Sequence, residues 1–345
     1  MYGKKIKYYR MKNGYTLEEL ANKLSCTKAA ISQYENDHRD PDEITLGKIS
    51  KVFHINKIDL LVRENNNIVF DHCSFRKKMK TNQNSIEVLK TDIESKCVDE
   101  IDIMDILGII PSKPFKAPKL SPLTSIEDNA KTIRETLDVS LRGPIYFVTR
   151  ILERLGIIVL AFDCEDDIEG LNGTANGIPY IFFNSSKTVE RQRFTLVHEF
   201  CHLFFSQEED NKDLEKYINK LAGHVLVPTE DLYLEFGHTN RNLNKYLINS
   251  VSKEYKVAPS CLITRLFEAG IVTEMYYKNY FRFLNSGRGK VNEGTLLDCE
   301  INSELPKEFD QRVYRALSNQ LITTSRAAEL LSIPLFVVMK NIGAI

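Results

Sequence analysis

The sequence predicts a multidomain chain: an all-α helix-turn-helix domain at the N-terminus, a mixed α+β domain after it, and a helical C-terminal region. Three observations predict this. Short amphipathic helices with capping signals fill residues 1 to 62. Two apolar runs, GIIVLAF (156–162) and GIPYIFFN (177–184), read as strands among helical surroundings. Helical spacing then returns over residues 243–255, 259–267 and 313–321. A chain of 345 residues suits two or three domains with separate cores. The boundaries are placed at 1–66, 67–124, 125–285 and 286–345.

In the first segment Thr16 precedes a stripe of Leu17, Leu20, Ala21 and Leu24, and Glu19 stands where it closes a capping box with Thr16. Ser25 and Cys26 make a brief turn, and Thr27 caps a second helix with Ile31 and Tyr34 facing inward. After Arg39-Asp40-Pro41 a further helix carries Leu46, Ile49 and Phe53. So short a turn between two helices describes a helix-turn-helix. Its second helix puts Lys28, Ala29, Ser32 and Gln33 outward, residue types that meet phosphates and base edges, with Gln33 able to pair with adenine. Residues 1 to 28 hold seven Lys or Arg against Glu18 and Glu19, a local excess of five positive charges. Double-stranded DNA is therefore the expected partner, and a homodimer would read half-sites about one helical turn apart. A small helical interaction module is the other reading of this segment.

Asn65, Asn66 and Asn67 mark a boundary by turn composition. Ile86, Leu89, Ile93, Cys97, Ile101 and Met104 then recur at helical spacing as one long helix, and PSKPFKAPKLSP (111–122) reads as a semi-rigid connecting segment. Residues 126–137 and 145–155 look helical, and the two predicted strands follow.

Directly after the second strand comes RQRFTLVHEFCHLFF (191–205), in which His198, Glu199 and His202 spell H-E-x-x-H. Residues four apart on a helix share a face, so both imidazoles can grip one ion, with Glu199 placed to hydrogen-bond a water there. Phe194, Val197, Cys201, Phe204 and Phe205 make the helix apolar and the centre partly dry. The order of helices, small sheet and H-E-x-x-H is consistent with a zincin-like α+β core. The strand beside the motif helix offers an edge to which a peptide substrate could add as an extra strand. A core helix with two satisfied histidines is the alternative.

Two resemblances sharpen this reading. YTLEELANKLSCTKAAISQYENDHRDP resembles the XRE-type, phage-repressor-like helix-turn-helix, with Leu17 where that family often has a phosphate-contacting Gln and Asp37 where it has Gly. GIPYIFFN, RQRFTLVHEFCH and EKYINKLAGHVLVP together resemble the ImmA/IrrE family of metallopeptidases over residues 125 to 285. That resemblance implies Glu215 as the third metal ligand, four residues before Asn219, and implies cleavage of XRE-type repressors that relieves repression. The same helix also carries His224. Nine steps of about 100° put it on the opposite face from Glu215, so only one of them can look at the metal. Asn219 and Ala222 share the face of Glu215.

The expectation is thus a DNA-binding regulator with a zinc endopeptidase centre: His198, His202 and Glu215 as ligands, Glu199 as general base, and an XRE-type repressor as the protein substrate. Manganese remains an alternative metal. The alternative function is a non-proteolytic or antitoxin-like transcriptional regulator whose metal site senses or stiffens. A tyrosine or His238 could stabilise an oxyanion, and spacing selects neither. Arg191 and Arg193 are read either as cations for a substrate carboxylate or as solvated helix-end residues, and Cys201 as a small buried thiol. TSRAAELLSIP (324–334) resembles another helix-turn-helix fragment, without a basic cluster, and is read as packing or substrate recognition.

A formal net charge of −1 gives no global field that would mark a polyanionic partner. The seven cysteines (Cys26, Cys73, Cys97, Cys164, Cys201, Cys261 and Cys299) form no C-x-x-C pair, which suits reduced thiols. No run approaches the roughly 18 apolar residues of a membrane span, and MYGKKIKYYR is charged where a signal peptide turns apolar. A soluble cytoplasmic protein with no membrane partner is expected.

Overall fold

The computed structural model describes residues 2–60, 68–72, 83–164, 168–205, 212–239, 243–286 and 304–343. The Asn65–Asn67 boundary, Cys73 and Cys299 lie outside them. Two compact units result: residues 1–68 with 77–98, and residues 69–76 with 99–345.

The first unit holds α1 (Gly3–Lys12), α2 (Leu17–Leu24), α3 (Lys28–Glu35), α4 (Glu43–Phe53) and a 3-10 turn at Lys57–Leu60. Both halves of the predicted capping box form: Thr16 Oγ1 accepts from the Glu19 amide at 3.2 Å, and Glu19 Oε2 accepts from the Thr16 amide at 2.8 Å. Ser25 ends α2 in the left-handed region at φ 57° and Thr27 caps α3, so the turn is three residues long. Ile6, Leu20, Ile31 and Ile49 are fully buried between the helices. Asp37 adopts φ 55°, and its side chain accepts from the Gly3 amide at 2.9 Å, so it caps α1 while making the turn. Arg10 reaches from α1 to α3 in a two-pronged ion pair with Glu35, at 2.5 and 3.0 Å. Its charge is spent on the fold, which removes it from the cationic excess counted in the sequence. The long helix α5 (Gln83–Ile106) begins in this unit, and its residues from Asp99 onward belong to the second.

The second unit is built on a four-stranded sheet of β1 (Phe70–His72), β2 (Ile158–Phe162), β3 (Gly170–Ala175) and β4 (Ile178–Asn184), in the order β1-β3-β4-β2. β2 runs parallel to β4, and the other pairs are antiparallel. β4 is buried along its whole length, as its unbroken apolar run requires. A two-residue turn at Asn176-Gly177, with φ 50° and 76°, folds β3 onto β4. β3 itself, GLNGTA, carries almost no strand propensity, so its pairing with β4 makes it a strand.

Helices α6 (Ile126–Thr136) and α7 (Val148–Arg154) precede the sheet. They are followed by α8 (Val189–His202), α9 (Lys212–Leu226), α10 (Thr229–Phe236), α11 (Lys245–Tyr255), α12 (Pro259–Glu268) and α13 (Glu274–Asn285). One core joins them, centred on Leu196, Phe200, Phe204, Ile218, Leu221 and Val225. The proline-rich stretch lies along this core: Phe115, Ala117 and Leu120 pack against it, and the Leu120 amide donates to the Phe204 carbonyl at 2.9 Å. Apolar side chains spaced along an extended segment convert a connector into a strap. α14 (Glu308–Ser318), α15 (Thr324–Leu331) and α16 (Leu335–Asn341) form a smaller core with Ile103, to which the second helix-turn-helix-like fragment contributes Ala327, Ala328 and Leu330.

Arg193 corrects the sequence reading of a substrate cation. It is fully buried, with Nη1 on Glu304, Nη2 donating to the Ile145 carbonyl at 2.6 Å and Nε donating to the Lys256 carbonyl at 3.0 Å. Glu304 also accepts from the Thr149 amide at 3.0 Å. Removing one partner strands a buried charge, so Glu304→Ala should cost about 3–5 kcal/mol in urea unfolding. Arg191→Ala, at a half-exposed pair with Glu169, should stay within about 0.5 kcal/mol.

Candidate functional site

α8 enters through a tight turn held by Gln192, whose Nε2 donates to the carbonyls of Ser185 and Lys187 at 3.0 and 2.8 Å. Leu196, Val197, Phe200 and Cys201 bury its core face. His198 and Glu199 are nearly as buried, while His202 is partly open. The two imidazoles meet edge to face with Nε2 atoms 3.1 Å apart. α9 brings Glu215 alongside, its Oε1 3.2 Å from His202 Nε2 and its Oε2 3.9 Å from His198 Nε2.

The three side chains can therefore offer ligand atoms that all lie within 4.8 Å of one another. Four ligands about 2.1 Å from a tetrahedral zinc stand roughly 3.4 Å apart, close to the spacing found here. Two imidazoles and one carboxylate are also the donor types of an open catalytic site. The residues present fit a zinc ion.

His224 faces elsewhere. Its Nδ1 donates to the Lys220 carbonyl at 2.9 Å, and its Nε2 lies 2.9 Å from Arg265 Nη1, which donates to it. Burial first, and Arg265 second, push its pKa down to about 4, so it stays a neutral acceptor. Asn219 donates to the Glu215 carbonyl at 3.0 Å and ties the helix rather than the carboxylate.

Sequence reasoning missed Asn172. From β3 its Nδ2 donates to Glu199 Oε2 at 2.7 Å, with both residues 4 % exposed. A hydrogen bond to one carboxylate oxygen orients the other. β3 reaches Glu199 because Gly170 lacks a side chain: a Cβ there would stand 2.3 Å from Thr195 Cγ2 and 3.3 Å from Glu199 Cγ. The only sequence signal was the glycine-rich GLNG, which carries no chemistry by itself. Cys201 is fully buried, and burial pushes its thiol well above the ordinary range, as suits an inert core residue. His238 lies against the Tyr233 ring, centroids 4.4 Å apart.

In the first unit Lys28, Ala29 and Gln33 of α3 are exposed. Ser32 is half-buried, and its carbonyl accepts from Asn36 Nδ2 at 2.8 Å. Lys28 and Ala29 form the first turn of α3, the end that a recognition helix presents to base edges. Among the described residues, no helix is long and apolar enough to cross a membrane.

Comparison with known proteins matches two stretches. Residues 6–60 match the helix-turn-helix family, and residues 152–267 match the IrrE N-terminal-like domain of the M78 peptidases. Over 62 residues the chain is 42 % identical to the HTH-type transcriptional regulator ImmR of Bacillus subtilis (strain 168), a match covering 18 % of this chain. The chain thus spans about half (49 %) of that relative's length.

Proposed function

We propose that this chain, which joins an XRE-type helix-turn-helix domain to an IrrE N-terminal-like domain, is a DNA-binding regulator whose second unit is a metal-dependent endopeptidase acting on an XRE-type repressor. One observation carries the reading: His198, His202 and Glu215 converge beside a buried Glu199 that is not itself in the cluster.

In this reading His198, His202 and Glu215 hold the ion. When bound, zinc supplies Lewis acidity to a carbonyl and acidifies a water. Glu199 accepts the proton of the attacking water and delivers it to the leaving amine. Asn172 donates to one Glu199 oxygen and so fixes the orientation of the carboxylate. The ring of Phe194 flanks His198, with centroids 6.2 Å apart. The competing reading is a regulator without proteolysis, favoured by the confinement of the ImmR likeness to 62 residues. Metal analysis of the purified chain, followed by incubation with XRE-type repressors encoded beside it, separates the two. Fragments that vanish under chelation support the peptidase; a metal-loaded chain that leaves every such repressor intact supports the regulator.

For the DNA-binding part, affinity for duplex DNA should fall steeply as salt rises. Lys28→Ala should weaken binding to all sequences by a similar factor, whereas Gln33→Ala should cost about 1–3 kcal/mol at one base position. Fluorescence anisotropy on a genomic fragment library checks this. Salt-independent binding would instead support an interaction module.

A further inference from the structure

β3 is the strand that touches the chemistry, through Asn172 on Glu199 and through Gly170 against α8. One of its edges is bonded to β4; the other faces the end of the sheet. An extended peptide adds to such an edge through main-chain hydrogen bonds, with side-chain pockets choosing the sequence. In this chain the edge is taken. β1 pairs with it antiparallel, Phe70 opposite Ala175, Asp71 opposite Thr174 and His72 opposite Gly173. The pairing is extended by the Asn176 amide donating to the Val69 carbonyl at 2.9 Å and the Val69 amide donating to Asn176 Oδ1 at 2.8 Å.

We propose that residues 69–72 act as an inhibitory strand in cis, occupying the edge of β3 on which a substrate strand would add. The inference rests on the peptidase reading for the identity of the competing strand. Three features support it. The last pair of β1, at Gly173, is one residue from Asn172, so the strand covers the edge up to the group that orients Glu199. Gly173 is bare for this approach: a Cβ there would stand 2.8 Å from the Asp71 carbonyl oxygen and 2.5 Å from the Tyr180 hydroxyl. The hold is also weak. β1 is three residues long, and Val69 at its entrance is 73 % exposed, so it is anchored over a short span. An incoming strand supplies the same backbone bonds and can displace it.

The test uses the full zinc-loaded chain carrying Glu199→Gln, so that nothing is cut, and a fluorescein-labelled peptide with the chain's own sequence 66–75. Asp71→Pro removes an N–H from the middle of β1. It should bind the peptide about tenfold tighter than the chain with Asp71. Exchange of the Asn176 amide, which bonds Val69 in the native pairing, should quicken in the same variant. Should the proline variant not fold, Phe70→Gly keeps every N–H, weakens the strand, and should shift affinity the same way by about threefold. Equal affinity in the native and opened chains would overturn the inference. Failure of the peptidase reading shows separately, as a zinc-loaded chain with intact Glu199 that leaves XRE-type repressors uncut, because the binding comparison involves no hydrolysis.

Discussion

Glu199→Gln is expected to keep its metal and lose at least about 10²–10⁴-fold in peptide cleavage. The side chain keeps its length, and its amide can still stand beside Asn172, so the packing of α8 against β3 survives. It no longer accepts a proton at neutral pH, so in the proposed mechanism the attacking water loses its base. Glu199 is also absent from the group of metal-capable side chains, so metal content should match that of the native chain. Metal analysis and cleavage of a repressor substrate in the same preparation make the check. Turnover at the native rate with metal bound would reject the mechanism. Asn172→Ala should fall between the two: it leaves the base in place but frees an oxygen held at 2.7 Å, so kcat should drop while KM and metal content stay unchanged.

Glu215→Ala should empty the site under mild chelation, whereas His224→Ala should keep its metal. Glu215 presents its two oxygens at 3.2 and 3.9 Å to the two imidazoles, and among the described residues it is the one that joins them as a third possible ligand. Two neutral imidazoles cannot offset the charge of a divalent ion, so losing the carboxylate removes both a ligand and the favourable charge. His224 is bonded to Lys220 and Arg265. Its loss should therefore appear in stability, by leaving Arg265 short of an acceptor, and not in metal content. Equilibrium dialysis against zinc with a competing chelator reads both variants. An empty site in His224→Ala beside normal zinc in Glu215→Ala would reverse the ligand assignment.

Much of the local structure was legible in the sequence because it is written in short-range terms. The Thr16–Glu19 capping box, the three-residue turn that ends at Thr27 and the shared face of His198 and His202 each depend on residues within four positions of one another. β4 was legible for another reason: seven consecutive apolar or neutral residues admit few alternatives to a buried strand. Arg10 and Arg193 were not. A cation in an amphipathic pattern reads as solvated or functional until a partner is known, and their partners lie 25 and 111 residues away.

By itself, then, the sequence determined the order of the helix-turn-helix, the mixed α+β unit and the helical end, the shared face of His198 and His202 on α8, and, by resemblance, Glu215 as the ligand to look for. The tertiary structure alone decided which side of α9 faces α8, that Asn172 holds Glu199, and that β1 takes the outer edge of β3. Periodicity and capping are set by neighbours along the chain. A strand such as GLNGTA has no preference of its own and takes its place only when β4 and α8 are already there to receive it.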